Sequence, residues 1–163
     1  MSVHCEDVSA QPRAGLKGPG AAAWLEALQL PLPAQANGWE PLPEGRILRL
    51  GISEFLIEGP LAARVQSTPP RGVYPVLRED CALRLSGTAL NELLLQTCSV
   101  DFVALDPSHR PVVLTSMMGV SVIALPESGA LRLWCDGTFG AWFEATLRSI
   151  ATDLTRPPAR REP

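Results

Sequence analysis

The chain has 163 residues and a formal net charge of −3, with 46% hydrophobic and 19% charged residues. These values describe a single globular domain with a sizeable core, and they exclude an intrinsically disordered chain. The net negative charge argues against a nucleic-acid-binding protein, which needs a basic face to displace counterions.

The first half of the chain is predicted to contain a flexible end, a strand, a helix, a proline-rich loop and two strands. In chain order these segments are residues 1–12, 13–17, 19–28, 34–44, 46–50 and 54–58. Pro19 suits the first turn of the helix. Residues 60–72 hold Pro60, Pro69, Pro70 and Gly72, a composition that indicates a linker between two halves, with a short helix predicted over residues 61–65.

The second half is predicted to contain two strands, a helix, a hairpin, a further strand and a last helix. In chain order these segments are residues 73–77, 81–86, 88–95, 111–125, 131–135 and 139–150. Thr88 is expected to cap the first of these helices. The tail, residues 152–163, is polar and proline-rich and is predicted to be disordered.

The two halves repeat each other. LKGPGAAAWLEALQL (16–30) aligns with LSGTALNELLLQTC (85–98), and RILRLGISEFLIEG (46–59) aligns with LTSMMGVSVIALPE (114–127). The alternative is a chance match between two α+β segments. We predict an α+β fold in which two ferredoxin-like β-α-β-β halves, about 13–59 and 73–151, pack in one domain.

No membrane association is predicted, because the chain has no run of about 18 apolar residues. The N-terminus also lacks the basic-then-apolar pattern of a secretory signal. Cys5, Cys81, Cys98 and Cys135 are irregularly spaced and form no C-x-x-C pair, which is typical of reduced structural thiols. A cytoplasmic protein is therefore expected.

Histidine is the residue type that most often transfers protons near neutral pH. His4 lies in the polar N-terminal stretch, and His109 lies in a polar turn with Asp106 and Ser108. The sequence leaves a Ser-His-Asp arrangement open. It favours a solvated turn, because Ser108 and Asp106 lack the context of a nucleophile elbow.

The residue types that bind zinc are also scattered. Neither Cys98 nor Cys135 has a ligand two to four residues away, so a site that includes His109 is disfavoured. Cys135 keeps one alternative, because it ends a strand just before a helix, whose N-terminus can depress the pKa of a thiol. We predict no catalytic, cofactor-binding or metal-binding residue in this chain.

Two carboxylates and four tryptophans complete the candidates. Glu54 and Glu58 recur at strand spacing beside an apolar stripe and are predicted to face solvent. Three tryptophans fall within predicted elements and are expected in the core: Trp24, Trp134 and Trp142. Trp39 falls in the proline-rich loop, where an exposed tryptophan would mark contact with a partner.

Several segments resemble one known family. Residues 83–102 (LRLSGTALNELLLQTCSVDF) and 131–151 (LRLWCDGTFGAWFEATLRSIA) resemble the gamma subunits of heterotetrameric sarcosine oxidases. GLKGPGAAAWL (15–25), Asn37-Gly38-Trp39 and EFLIEG (54–59) do so as well. Through this family the chain resembles the folate-binding domain of aminomethyltransferases, the T-protein group.

The resemblance implies an accessory role. In folate-dependent aminomethyltransferases, the hairpin that matches Met118–Val122 carries an acidic residue that contacts the pterin, and here it has none. The gamma subunits assemble with larger chains that carry the cofactors. The family therefore implies a non-catalytic subunit of a bacterial amine oxidase or demethylase complex that acts on an N-methylated amine such as sarcosine or a methylamine.

The same resemblance implies that this chain alone binds no cofactor. Flavin (FAD or FMN) is expected in larger partner subunits, with tetrahydrofolate or a metal as further candidates there. Two alternatives stay open: a small tetrahydrofolate-dependent aminomethyltransferase-like enzyme, and a homo-oligomeric binding module.

Overall fold

The computed structural model describes residues 2–155, and two antiparallel five-stranded sheets form its centre. In chain order the elements are β1 (His4–Asp7), β2 (Arg13–Lys17), α1 (Ala21–Ala27), β3 (Gly38–Leu42), β4 (Gly45–Arg49), β5 (Glu54–Glu58), α2 (Ala62–Gln66), β6 (Tyr74–Val76), β7 (Cys81–Ser86), α3 (Leu90–Thr97), β8 (Val113–Met117), β9 (Val120–Glu127), β10 (Ala130–Cys135) and α4 (Gly140–Thr155). Among the described helices, none is long and apolar enough to cross a bilayer.

The strands are ordered β3-β4-β5-β2-β6 in the first sheet and β8-β9-β10-β7-β1 in the second. The sheets stack face to face, with α1 and α2 on the outer face of the first sheet and α3 and α4 on the outer face of the second. Successive side chains of a strand point to opposite faces of its sheet, so each sheet packs against helices on one face and against the other sheet on the other. In β5, Ile57 packs towards the helices, whereas Leu56 packs into the layer between the sheets.

The two halves of the chain contain the same order of elements. The first unit runs β1-β2-α1-β3-β4-β5-α2 and the second runs β6-β7-α3-β8-β9-β10-α4. Equivalent strands hold equivalent places, since β2 lies next to the edge strand β6 in the first sheet and β7 lies next to the edge strand β1 in the second. The α+β class with two related halves is thus confirmed, and each β-α-β-β core gains a further strand in its own sheet.

The first strand of each unit is exchanged. β1 belongs to the first unit but pairs with β7 of the second, in the register Cys5 opposite Leu85. β6 belongs to the second unit but pairs with β2 of the first, in the register Leu16 opposite Pro75. Each sheet is therefore completed by a strand from the other half.

Two equivalent glycines mark the places where the exchanged strands arrive. Gly18 (φ +118°) directly follows β2 and Gly87 (φ +122°) directly follows β7, and both adopt a backbone conformation that other residues rarely adopt. A Cβ on Gly18 would lie 2.4 Å from the Gly72 carbonyl oxygen, and one on Gly87 would lie 2.3 Å from the Ser2 carbonyl oxygen. The match of residues 16–30 with 85–98 thus aligns equivalent positions.

Several sequence-based expectations about the boundaries are wrong. Residues 1–12 are predicted to be flexible, but His4–Asp7 forms an edge strand. Its mostly polar, exposed side chains give no strand signal in the sequence. By contrast, the short helix predicted over residues 61–65 of the linker is confirmed as α2, which buries Val65 against the first sheet. Helix α4 continues to Thr155, past the expected start of the tail at 152, and the rest of the tail lies outside the described residues.

The second alignment of the repeat was displaced by one strand. It matched residues 46–59 with 114–127, which pairs β4 and β5 with β8 and β9. By position in the sheets, β4 and β5 correspond to β9 and β10. The displacement arose because Gly38–Leu42, expected as loop, is strand β3 despite its glycine and proline.

The expected cap of α3 by Thr88 is wrong. The Thr88 hydroxyl instead accepts a hydrogen bond from the Ser2 amide at 3.0 Å.

Candidate functional site

The polar turn around His109 does not form a catalytic triad. The His109 side chain is exposed, and its Nδ1 lies 3.8 Å from Asp106 Oδ2. The other oxygen of Asp106 accepts a hydrogen bond from the Ser108 backbone amide at 2.9 Å. Asp106 therefore stabilises the local turn, as in a helix N-cap. His4, in β1, is exposed on the surface.

The described cysteines are free thiols. Burial raises the pKa of Cys135 to about 12 and that of Cys5 to about 11. The alternative that a helix N-terminus activates Cys135 is thus wrong, because desolvation dominates at this position. Residues 2–155 contain no group of three or more His, Cys, Asp and Glu side chains placed to hold a metal ion.

A buried carboxylate lies between the two sheets. Glu58, at the end of β5, is fully buried. Its Oε2 accepts a hydrogen bond from Trp134 Nε1 at 2.7 Å, and its Oε1 lies 2.7 Å from Arg132 Nη2. Both of these residues belong to β10 of the second sheet, so one carboxylate joins the two halves.

Two more arginines flank Glu58 within its own sheet. Arg13 of β2 and Arg46 of β4 lie directly opposite Glu58 in the strand registers, so all three side chains share one face of the sheet. Their guanidinium nitrogens lie 3.7 and 3.6 Å from the carboxylate oxygens. We call Arg13, Arg46, Glu58 and Arg132 the interlayer ion cluster.

The prediction that Glu58 faces solvent is wrong. Strand β5 is covered on both faces, by helices on one side and by the second sheet on the other, so its polar end is buried with the rest. A sequence signal existed in β10, where Arg132 stands alone in an apolar run. An isolated charge in a buried strand needs a buried counter-ion. Burial lowers the pKa of Arg132, and Glu58 opposes that effect.

The ionic contacts continue towards the surface through Glu127 of β9. Its carboxylate accepts hydrogen bonds from Arg46 at 2.6 Å and from Arg84 at 3.0 Å. Burial raises the pKa of Glu127, but the two guanidinium groups more than offset this effect and hold the pKa below its ordinary value.

This lowered pKa predicts an acid-dependent loss of stability. Because the pKa of Glu127 is lower in the folded chain than in the unfolded chain, the stabilisation is complete above the ordinary glutamate pKa and disappears as pH falls through the lower folded value. We expect the difference in the free energy of unfolding between wild type and Glu127→Gln to shrink in acid. Urea titrations across the acid range measure this, with Glu92→Gln, an exposed change on α3, as the control. A difference that stays constant with pH would contradict the expectation.

The tryptophans occupy four different environments. Trp134 is buried as expected, Trp24 is half-buried, and Trp142 is 52% exposed, contrary to the expected core position. Trp39 lies in β3, not in a loop, and its ring is flanked by the guanidinium groups of Arg46 and Arg110, each 5.9 Å from the ring centroid. Arg110 also forms an ion pair with Glu40.

An open cleft of about 670 Å³ lies on the inner face of the second sheet. A row of paired residues crosses this face from Leu114 of β8 to Ile123 of β9 and Trp134 of β10. Leu114 is half exposed, Ile123 is partly buried and Trp134 is fully buried. The first sheet therefore covers only one side of this face, and Leu114 stands at the uncovered side.

The mouth of the cleft is formed by the connection between the sheets. Leu77, 78% exposed, follows β6 and lines the cleft together with Arg78 and Asp80. On the same side, a second depression is lined by Leu77, Glu79, Asp80, Asp136, Gly137 and Thr138. Sequence reasoning missed this site, because it depends on where two non-local sheets diverge.

The hairpin expected around Met118–Val122 is present between β8 and β9. Met118 (φ +51°) and Gly119 (φ +83°) form its two-residue turn, the conformation that a tight hairpin requires. Cleft residues Ser116 and Ser121 lie opposite each other on the two strands of the hairpin, so neutral hydroxyl groups line this part of the cleft.

Comparison with solved structures places this architecture beside two known proteins. A chain of the heterotetrameric sarcosine oxidase from Corynebacterium sp. U-96, solved with pyrrole 2-carboxylate, matches with a TM-score of 0.76 and 21% identity, over 96% of this chain and 87% of that chain. Glycine cleavage system aminomethyltransferase T from Bartonella henselae matches with a TM-score of 0.65 and 13% identity, over 90% of this chain and 45% of that chain. The sequence matched no protein-family model and no curated protein. At the level of fold, the resemblance expected from the sequence is confirmed.

Proposed function

We propose that this chain is a non-catalytic accessory subunit of a bacterial multi-subunit amine oxidase or demethylase that acts on an N-methylated amine of the sarcosine or methylamine type. Larger partner subunits carry the flavin, with tetrahydrofolate or a metal as further candidates in those subunits. This chain contributes a rigid, two-sheet surface against which the partners assemble.

One observation carries the proposal. The match to a chain of a heterotetrameric sarcosine oxidase extends over nearly the whole of both chains, so this protein has the size and fold of one subunit in such an assembly. Its surface is consistent with assembly, since half-exposed or more exposed large apolar side chains occur along it: Ile52, Tyr74, Leu77, Leu95, Val103, Leu114, Phe139 and Trp142. Two of them, Leu77 and Leu114, line the same cleft, and clustered exposed apolar groups favour protein–protein contact.

Copurification tests the proposal. The full chain, tagged and expressed in cells of its source organism, is expected to copurify with larger chains that show a flavin absorbance spectrum. The same fraction is expected to consume oxygen when sarcosine or a methylamine is added. Recovery of the chain without a flavoprotein, or a flavoprotein fraction inert towards every N-methylated amine tried, would refute the proposal.

The second candidate is a small tetrahydrofolate-dependent aminomethyltransferase-like enzyme. It is favoured by the fold match to aminomethyltransferase T, although this chain spans less than half the length of that protein. Titration calorimetry of the isolated chain with tetrahydrofolate separates the two functions. Micromolar binding would support the enzyme, and absence of heat would support the accessory subunit.

A further inference from the structure

The cleft on the inner face of the second sheet has the composition of a protein-docking site. Its apolar groups come from both sides, with Leu77 at the mouth and Leu114, Ile123 and Trp134 across the wall. Beyond the adjoining depression, Phe139 follows Thr138 in the chain and is also half exposed. A contiguous exposed apolar patch at a concave surface marks a site that a partner can fill.

The rim of this surface is acidic. Among the described residues that line the cleft and the adjoining depression, Glu79, Asp80 and Asp136 are carboxylates and Arg78 is the one cation. Arg78 is already paired with Asp80, at 3.1 Å. The carboxylates of Glu79 and Asp136 therefore give the rim a negative field that would attract a cationic partner.

We infer that this surface docks an apolar segment flanked by arginine or lysine, presented by the larger cofactor-carrying subunit. The inference rests on the proposed function and names the side of this chain that the partner covers. A second copy of this chain is a poor occupant, because the same acidic rims would face each other. The segment 156–163, which holds Arg156, Arg160 and Arg161, is a further cationic candidate that the experiment must separate.

Matched leucines provide the first test. Leu77→Asp changes a side chain that is 78% exposed at the cleft, and Leu95→Asp changes one that is 77% exposed on α3, on the outer side of the second sheet. In the copurification from source cells, Leu77→Asp is expected to lower recovery of the flavoprotein about tenfold or more, as a hot-spot loss does. Leu95→Asp is expected to leave it unchanged. Because both side chains are exposed, circular dichroism should show both variants folded.

Charge reversal provides the second test. Glu79→Arg is expected to weaken recovery and to reduce its sensitivity to salt, since it removes part of the acidic rim. Glu92→Arg, an exposed change on α3, is the control. Equal effects of the two reversals would overturn the charge argument.

Photocrosslinking identifies the occupant. With a benzophenone amino acid at position 114 of the full chain, the purified complex is expected to yield a crosslinked peptide from the larger subunit that contains apolar residues beside arginine or lysine. Crosslinks to residues 156–163, crosslinks to a second copy, or no crosslink in the intact complex would each overturn the inference. If wild type recovers a flavoprotein and Leu77→Asp recovers it equally, the docking site fails and the proposed function stands. If wild type recovers none, both fail.

Discussion

Glu58→Gln is expected to lower the free energy of unfolding by about 3–5 kcal/mol, the cost of removing one partner from a buried ionic group. The substitution keeps the volume but leaves Arg13, Arg46 and Arg132 without their shared negative charge. Arg13 and Arg132 are almost completely buried, so water cannot compensate. Urea unfolding of wild type and variant measures the loss.

The matched control lies in the same strand. Glu54→Gln changes the other end of β5, where the carboxylate lies opposite Lys17 and is only partly buried. It is expected to cost less than about 1 kcal/mol, because a partly exposed carboxylate keeps contact with water. Equal losses for the two substitutions would show that the interlayer ion cluster has no special role.

A double-mutant cycle would measure the interaction energy between Arg132 and Glu58. Arg132→Met alone removes the guanidinium closest to Glu58, and Glu58→Gln alone removes the charge it faces. If the pair interacts directly, the combined substitution costs less than the sum of the two by more than about 0.5 kcal/mol. Simple additivity would contradict the 2.7 Å contact between them.

Gly87→Ala is expected to cost about 3 kcal/mol and to loosen strand β1. A side chain at this φ is strained, which costs about 1–3 kcal/mol. The added Cβ would also meet the Ser2 carbonyl oxygen at 2.3 Å, a backbone atom that can move only if the start of β1 moves with it. We expect faster hydrogen exchange at the amides of β1 as well as a lower free energy of unfolding.

Gly119→Ala tests the effect of backbone strain without a steric clash. Gly119 has φ +83°, but no atom lies within 4 Å of a Cβ built there. Its substitution should therefore cost about 1–2 kcal/mol from the backbone alone and leave exchange in β1 unchanged. Gly18→Ala should act on β6 as Gly87→Ala acts on β1. Hydrogen exchange in β1 that is equal in the Gly87 and Gly119 variants would contradict the interpretation.

Local patterns predicted the elements whose signals lie within a few residues. Gly18 and Gly87 appeared at equivalent places in the two halves because each must turn sharply from a strand into a helix. The hairpin at Met118–Gly119 followed from two apolar strands joined at a glycine. The fold resemblance over residues 83–102 and 131–151 had the same local origin.

The interlayer ion cluster could not be predicted in this way. Whether Glu58 meets water or arginine depends on which strands lie beside β5 and on a second sheet whose nearest contact, Arg132, is far along the chain. Strand β1 was missed for a related reason, since its pairing with β7 supplies what its polar sequence does not. The cleft at Leu77 and Leu114 depends on the shape of the uncovered sheet, for which no short motif codes.

The reciprocal exchange of β1 and β6 has a consequence for synthesis on the ribosome. Residues 4–7 emerge well before residues 81–86, which provide the edge that they join, and the first sheet stays one strand short until residues 74–76 arrive. Neither half can mature ahead of the other, although the N-terminal part of a chain ordinarily folds first. In a nascent chain arrested between α2 and β6, the edge of the first sheet at β2 and the segment of β1 would therefore both lack their partner strands. Such a chain would need its second half to complete the fold.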